Sequence, residues 1–417
     1  MDVPSDPTSV RRLPVAVLLG INAISQLGTQ LTALALPWFV LVTTGSAVRT
    51  GLVAFAEASG FLVAGALAGP FVDRHGYKQI SVGSDLASAV AIGLVPLLHH
   101  TVGLAFWQLL FLAFATALLQ SPGQSARSRI IPELAALANA RLERVNAASE
   151  ATYQITLLVG PLLSGLLIAA LGPGDVLAFD AVTYALSALL LAAAIPPDLL
   201  SKVSKRERYL TDLATGLRFL RQDRLLLPLT ISFALGIALV NVPLFAVVLP
   251  VYARETLGTA TELGFLFSAF AVGALAGSAG FGTLGSRVPW RWLWIARFGL
   301  VALPYWALAT GAPLPVALIA LVACGAANGA TNPLLATIRF RRTPAELRGR
   351  VFGPMRVIGD LAPPLGVLLT GAAIEAIGLQ PTTLWLATGT IAVGVAVFAV
   401  PSFRLLDAPA AAASPTA

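Results

Sequence analysis

Apolar runs long enough to cross a hydrocarbon core recur along the whole chain, and they constrain the fold more than any motif. A membrane-crossing helix needs about 20 mostly apolar residues. Such runs fall at 13–43, 48–71, 79–98, 103–122, 151–171, 174–195, 225–251, 263–284, 292–311, 313–337, 357–378 and 382–402. They do not alternate in polarity as barrel strands would. The expected fold is an all-α polytopic membrane protein with twelve transmembrane helices. Composition agrees: of 417 residues, 57% are hydrophobic and 11% charged, where a soluble domain carries about 25% charged residues. That argues against a soluble enzyme, a nucleic-acid binder or a secreted scaffold. The single cysteine, Cys324, can form no internal disulfide.

The basic residues fix an orientation. Cytoplasmic loops of membrane proteins are enriched in Lys and Arg. With the N-terminus inside, all but three of the 27 Lys and Arg fall on the cytoplasmic side. Arg49 and Arg254 lie on the outer side, and Arg297 lies within the ninth run. Both termini are therefore expected in the cytoplasm of a multi-pass cell-membrane protein. The net charge of +7 is a topology signal rather than a nucleic-acid footprint. Met1–Pro14 carries Asp2 and Asp6 before a run far longer than a signal-peptide core, so the first span is expected to remain. The longest polar stretch, 196–224, separates six runs from six, and Ser204–Arg221 is expected to lie as a helix on the membrane surface. This gives an N-terminal six-helix bundle at 1–197, a cytoplasmic linker at 198–222, and a C-terminal six-helix bundle at 223–417 ending in a short disordered tail. An internal echo supports the duplication: Gly65-Ala66-Leu67-Ala68-Gly69 recurs as Gly273-Ala274-Leu275-Ala276-Gly277.

Between the second and third runs stands Gly69-Pro70-Phe71-Val72-Asp73-Arg74-His75-Gly76-Tyr77-Lys78. In a chain of six plus six spans this resembles the signature loop of the major facilitator superfamily, with Tyr77 where that family usually has a basic residue. The resemblance implies a gating role for Gly69, Asp73, Arg74, Gly76 and Lys78. In the fifth run, Gly160-Pro161-Leu162-Leu163-Ser164-Gly165 is similar to the Gly-Pro motif of the superfamily's exporters. Gly160, Pro161 and Gly165 permit a helix bend or close packing. Ser25-Gln26-Leu27-Gly28, Phe179-Asp180-Ala181 and Leu347-Arg348-Gly349-Arg350-Val351-Phe352 resemble the branch holding bacterial macrolide, siderophore and multidrug exporters. That branch often has an acid after the glycine of span one; here the residue is Thr29.

Ionisable residues within a span are costly to bury and mark functional candidates. Glu57 lies deep in the second run and is the first candidate for proton coupling, followed by Asp180, Asp360 and Glu375. Asp85, Asp180 and Arg297 fall on spans that the resemblance puts outside the central cavity, which gives them a structural reading. Polar residues mark the expected substrate cavity: Asn22, Gln26 and Gln30 share one face of span one at i, i+4 spacing, with Asn241 in span seven and Asn328 and Asn332 in span ten. Trp38, Phe39, Phe55, Phe245 and Trp306 are its expected aromatic walls. No metal site, cofactor site or catalytic constellation is legible, so an enzyme is not expected. The expected function is proton-coupled export of a drug-like or antibiotic-like amphiphilic molecule by alternating access, by a monomer whose partners are its substrate, protons and the bilayer. Uptake or flipping of a metabolite or lipid by the same fold, or a non-transporting membrane sensor, are the alternatives.

Overall fold

The structure is a computed structural model that describes residues 7–194, 209–285 and 287–407, with side chains described except at 7–16, 66–75, 137 and 209–213. Its helices are α1 (Pro7–Thr44), α2 (Ala47–His75), α3 (Tyr77–Thr101), α4 (Phe106–Leu137), α5 (Leu142–Leu171), α6 (Pro173–Ala194) and α7 (Tyr209–Gln222). There follow α8 (Leu226–Leu257), α9 (Ala260–Leu284), α10 (Trp290–Ala309), α11 (Leu314–Arg342), α12 (Arg348–Ile377) and α13 (Leu379–Ala399). Eleven of them are long and apolar enough to cross a membrane. The remaining long helix, α4, has 32 residues but carries Gln108, Gln120, Ser121, Gln124 and Arg127. Large apolar side chains such as Trp107, Ile319, Leu369 and Trp385 are exposed. On a water-soluble protein they would form a sticky patch; in lipid they face their natural solvent.

Several connections are shorter than expected. The signature stretch 69–78 is not a loop: Gly69, Asp73 and Arg74 belong to the last turns of α2, and Gly76 is the single residue before α3. Gly76 has φ +85, a left-handed value that a residue with a Cβ resists. Helix α4 continues past Pro122 to Leu137, so Arg127 and Arg129 are helical rather than loop residues. The surface segment expected at Ser204–Arg221 is described only from Tyr209, as α7; its start, the rest of the 198–222 linker and the tail after Asp407 lie outside the described residues.

Contacts divide the chain into two compact units, Met1–Thr43 with Ala56–Lys205, and Thr44–Phe55 with Arg206–Ala417. In the first unit α3 packs against both α4 and α6. Leu18, Ile21, Ile130, Leu134 and Leu191 form a core cluster there. Helix α5 approaches α1 at the Gly-Pro motif. A Cβ on Gly160 would sit 2.6 Å from the Gln30 Cβ, and Ser164 Oγ donates to the Leu31 carbonyl at 2.9 Å.

In the second unit α9 and α11 interleave their glycines. Gly273 and Gly277 lie on the carbonyls of Val322 and Ala326, and Gly325 and Gly329 on those of Phe270 and Ala274. Small residues at such positions let two backbones meet, which supplies the contact that drives helices together in lipid. The second copy of the Gly-Ala-Leu-Ala-Gly echo is this seam. Helix α8 is interrupted by π-helical turns at Ile237–Asn241, Leu244–Val248 and Ala253–Leu257. Pro243 has no N–H for the Leu239 carbonyl four residues back. The Tyr305 hydroxyl reaches across from α10 to donate to the carbonyls of Leu239 and Val240, at 3.2 and 2.9 Å. At the start of α8, Asp223 Oδ1 accepts from the backbone N–H of Leu225 and Leu226, both at 2.8 Å, while its Oδ2 pairs with Arg342 at 3.1 Å. The segment Thr44–Phe55 of α2 joins this unit by packing on α12, where Gly51 comes within 3.2 Å of Gly371 if given a Cβ.

Candidate functional site

The first unit holds a pocket of about 340 Å³, inside the range of about 300–1,000 Å³ usual for small-molecule sites. Helix α1 lines it with Asn22, Ser25, Gln26, Thr29 and Gln30. The i, i+4 face read from the sequence is thus a pocket wall. Gln124, Arg127 and Ser128 enter from α4, Ser149 and Tyr153 from α5, and Ile131 is the one aliphatic contributor. Among the described residues the side-chain amides of Asn22, Gln30 and Gln124 have no hydrogen-bond partner in the protein. Gln26 accepts one long bond, 3.4 Å from Thr156 Oγ1. Ser149 Oγ is buried without a partner.

Behind the wall two carboxylates are tied down. Arg127 Nη1 donates to both Asp85 oxygens, at 2.7 and 2.6 Å, and Ser187 Oγ donates to Asp85 Oδ2 at 2.5 Å. The side chains of Arg127 and Asp85 are 7% and 1% exposed. Asp180 is fully buried on α6. It accepts the Thr32 hydroxyl on Oδ2 and the Thr183 hydroxyl on Oδ1, the latter at 2.9 Å. Gly28 lies directly on this carboxylate; a Cβ there would overlap Asp180 Oδ1 and Thr183 Oγ1. One turn along α6 the Tyr184 hydroxyl bonds Thr29 Oγ1 at 3.1 Å and Gln120 Nε2. Gln120 Nε2 also donates to Thr29 Oγ1 at 2.9 Å. Thr29 therefore belongs both to the pocket wall and to a buried polar network on α4 and α6.

The other sequence candidates fall elsewhere. Glu57 on α2 is half-buried, with no hydrogen bond or ion pair among the described residues, and it does not line the pocket. Asp360 pairs with Arg356 one turn back at 3.4 Å, on an exposed surface. Glu375 is exposed and accepts from Ser46 Oγ at 2.5 Å and Val48 N–H at 3.0 Å. Trp38 and Phe39 are buried and do not line the pocket, and the Phe39 ring meets His99 edge-on at 5.0 Å. In the second unit Asn241 Nδ2 donates to Asn328 Oδ1 at 2.8 Å, and Asn328 Nδ2 donates to the Cys324 carbonyl at 3.0 Å. Asn332, one turn on, is exposed. Phe245 stacks edge-on with Phe267 and Phe270. Of the signature residues, Lys78 Nζ caps α6 by donating to the Ala192 carbonyl at 2.8 Å. The side chains of Asp73 and Arg74, and Gly69, lie outside those described.

Sequence reasoning missed Gln124, Ser149 and Tyr153, and it assigned Arg127 to a loop as a topology charge. The corrected position of Arg127 follows from α4 running on: beyond Pro122 the helix still packs on α3, where Gly123 lies against Ser84 and Arg127 meets Asp85.

The sequence model of the Major Facilitator Superfamily matches residues 18–366 and 231–417 of the chain. The multidrug efflux pump Tap of Mycobacterium tuberculosis is 32% identical over 404 residues, covering 95% of each protein. Macrolide efflux protein A of Streptococcus pyogenes is 23% identical over 393 residues, covering 93% of this chain and 95% of its own length. Among solved structures, the nucleoside transporter NupG gives a TM-score of 0.76 at 12% identity, over 93% of this chain and 98% of that one. A bacterial homologue of the iron transporter ferroportin, in an inward-facing state, gives 0.68 at 18% identity, over 93% and 98%. At these identities the structural likeness speaks for the fold alone.

Proposed function

The chain belongs to the Major Facilitator Superfamily, and we propose that it is a proton-coupled secondary transporter that exports a drug-like or antibiotic-like amphiphilic molecule by alternating access. The observation that carries this reading is the pocket walled by α1, α4 and α5, with unspent amides and hydroxyls placed to hold a small molecule. Full-length similarity to pumps named for multidrug and macrolide efflux supports the direction of transport. Transporters of this family are not enzymes: the work is done by binding one solute in two states of the protein.

In this reading α4 is the twelfth membrane-crossing helix. The bundles are 1–197 and 223–417, joined by a cytoplasmic linker at 198–222, with both termini inside and the protein a monomer. Energy comes from protons, since about 2.3 kcal/mol is available per charge per 100 mV. Glu57 is the proposed proton carrier, because a half-buried carboxylate without a partner is free to gain and lose a proton. Asp180 is held by two hydroxyl donors, Asp360 by Arg356, and Glu375 by Ser46 and the Val48 backbone. Asp180 is assigned to packing, Asp360 to a surface ion pair and Glu375 to a helix end. Asp73 and Arg74, with Gly76 and Lys78, are the proposed cytoplasmic latch.

The test is accumulation of labelled antibiotics in cells with and without the protein, each with and without a protonophore. Expression is expected to lower accumulation, and the protonophore to restore it. Equal accumulation with and without the protein would refute export.

A further inference from the structure

The pocket has an unusual charge balance. Among the described residues its one ionised lining side chain is Arg127, and that charge is already met on the far side by Asp85, which touches both of its oxygens to Nη1. Among the described residues no carboxylate lines the pocket. Glu57, an unpartnered acid of the same unit, is not among the lining residues. A cation entering here would shed water without gaining a counter-charge and would meet a guanidinium. An anion would find a cation whose charge is already spent.

The hydrogen-bonding supply is the opposite of sparse. Among the described residues, Asn22, Gln30 and Gln124 each offer a free donor pair and a free acceptor, and Ser149 a buried hydroxyl without a partner. A lipophilic ligand without polar groups would leave these unpaired, and sites built from such groups reject ligands that cannot pair with them.

We propose that this pocket selects neutral solutes rich in hydroxyl, amide and carbonyl groups, and discriminates against permanent lipophilic cations. The inference rests on the export reading above and names the substrate class of the same site. It departs from the aromatic cavity expected from sequence, because Trp38 and Phe39 turn into the core instead.

The experiment uses the purified full-length protein in lipid nanodiscs, with two radiolabelled probes. One is chloramphenicol, neutral and carrying two hydroxyls and an amide; the other is tetraphenylphosphonium, a permanent cation with no hydrogen-bonding group. Chloramphenicol is expected to bind, and to bind more tightly than tetraphenylphosphonium. Gln26→Leu and Gln30→Leu are each expected to weaken chloramphenicol about threefold to tenfold, the worth of one net hydrogen bond. Gln30→Glu supplies the missing counter-charge and is expected to raise tetraphenylphosphonium affinity. Each variant is scored only with a wild-type melting temperature, and Ser149→Ala replaces any that fails this. The assignment is overturned if chloramphenicol does not bind, if tetraphenylphosphonium binds the tighter, or if all folded variants bind both probes as the wild type does. Export in cells separates the two readings. Export of tetraphenylphosphonium but not chloramphenicol overturns the substrate class alone, whereas no export of either probe or of any labelled antibiotic overturns the function on which it rests.

Discussion

Replacing Asp85 tests the energetics of the first unit most directly. Its carboxylate is 1% exposed, receives the Arg127 guanidinium at 2.6 and 2.7 Å and the Ser187 hydroxyl at 2.5 Å, and so links α3, α4 and α6. Asp85→Leu keeps the branching of the side chain, with bulkier methyl groups in place of the oxygens, and leaves the guanidinium, 7% exposed, without its counter-charge. Removing one partner of a buried pair costs about 3–5 kcal/mol. At about 2–4 °C per kcal/mol for a body of this size, the melting temperature falls by about 6–20 °C. Replacing both members by apolar side chains, Asp85→Leu with Arg127→Met, removes the stranded charge and recovers most of the loss. The double variant is therefore more stable than the sum of the singles by about 2 kcal/mol or more, within the range of measured couplings. The assay is tryptophan fluorescence of detergent-solubilised protein on heating. One scan rate is used throughout, since irreversible unfolding makes the midpoint a rate. An Asp85→Leu midpoint within about 2 °C of wild type, or a double variant as unstable as the summed singles, would refute the reasoning.

Gly28→Val drives a side chain into Asp180 and Thr183 and should cost about 1–3 kcal/mol by overpacking, visible as a lower midpoint in the same scan. Tyr305→Phe leaves the Leu239 carbonyl without a donor beside the Pro243 gap in α8; a loss of about 1–3 kcal/mol is expected, and an unchanged midpoint would show that the widened turn satisfies itself. Glu57→Gln mimics the protonated acid: uphill, protonophore-sensitive efflux in vesicles under a pH step should vanish while downhill exchange persists, and wild-type uphill pumping would remove Glu57 from the coupling mechanism. Single cysteines placed at Ser201 and Gly311 in a Cys324→Ala background should label from opposite sides of intact cells, with Ser201 protected from outside reagent.

The spans were legible because hydrocarbon imposes a length and a composition on any helix that crosses it, and most residues of a crossing helix must satisfy that demand independently of tertiary contacts. The turns were less so. Gly76 and Gly172 each join two helices with one residue, a connection that hydropathy cannot distinguish from a loop of several. Within the site, the Asn22, Gln26 and Gln30 face was readable because i, i+4 spacing places side chains together without help from the fold. A similar signal is present on α5, where Ser149, Tyr153, Thr156 and Gly160 follow one helical face, but Ser149 precedes the apolar run at 151–171 and the polar residues within that run are sparse. The pairing of Asp85 with Arg127, 42 residues apart, carries no local mark at all. Nor does the choice between a core and a pocket for Trp38, which depends on how α1 is turned against its neighbours.

Helix α4 shows how polarity in a membrane protein reports on position. Lipid accepts no polar residue cheaply, so Gln120, Gln124 and Arg127 on one helix require an interior that receives them. Each has a separate destination: Gln120 goes to Thr29 and Tyr184, Arg127 to Asp85, and Gln124 to the open pocket. The first two are satisfied by the protein, which fixes the wall in place, and the third is left for a ligand or water. Helix α4 reads as a span over 103–122 and turns polar beyond it; its polar contacts hold it in the bundle, and its unspent group marks the face proposed for binding.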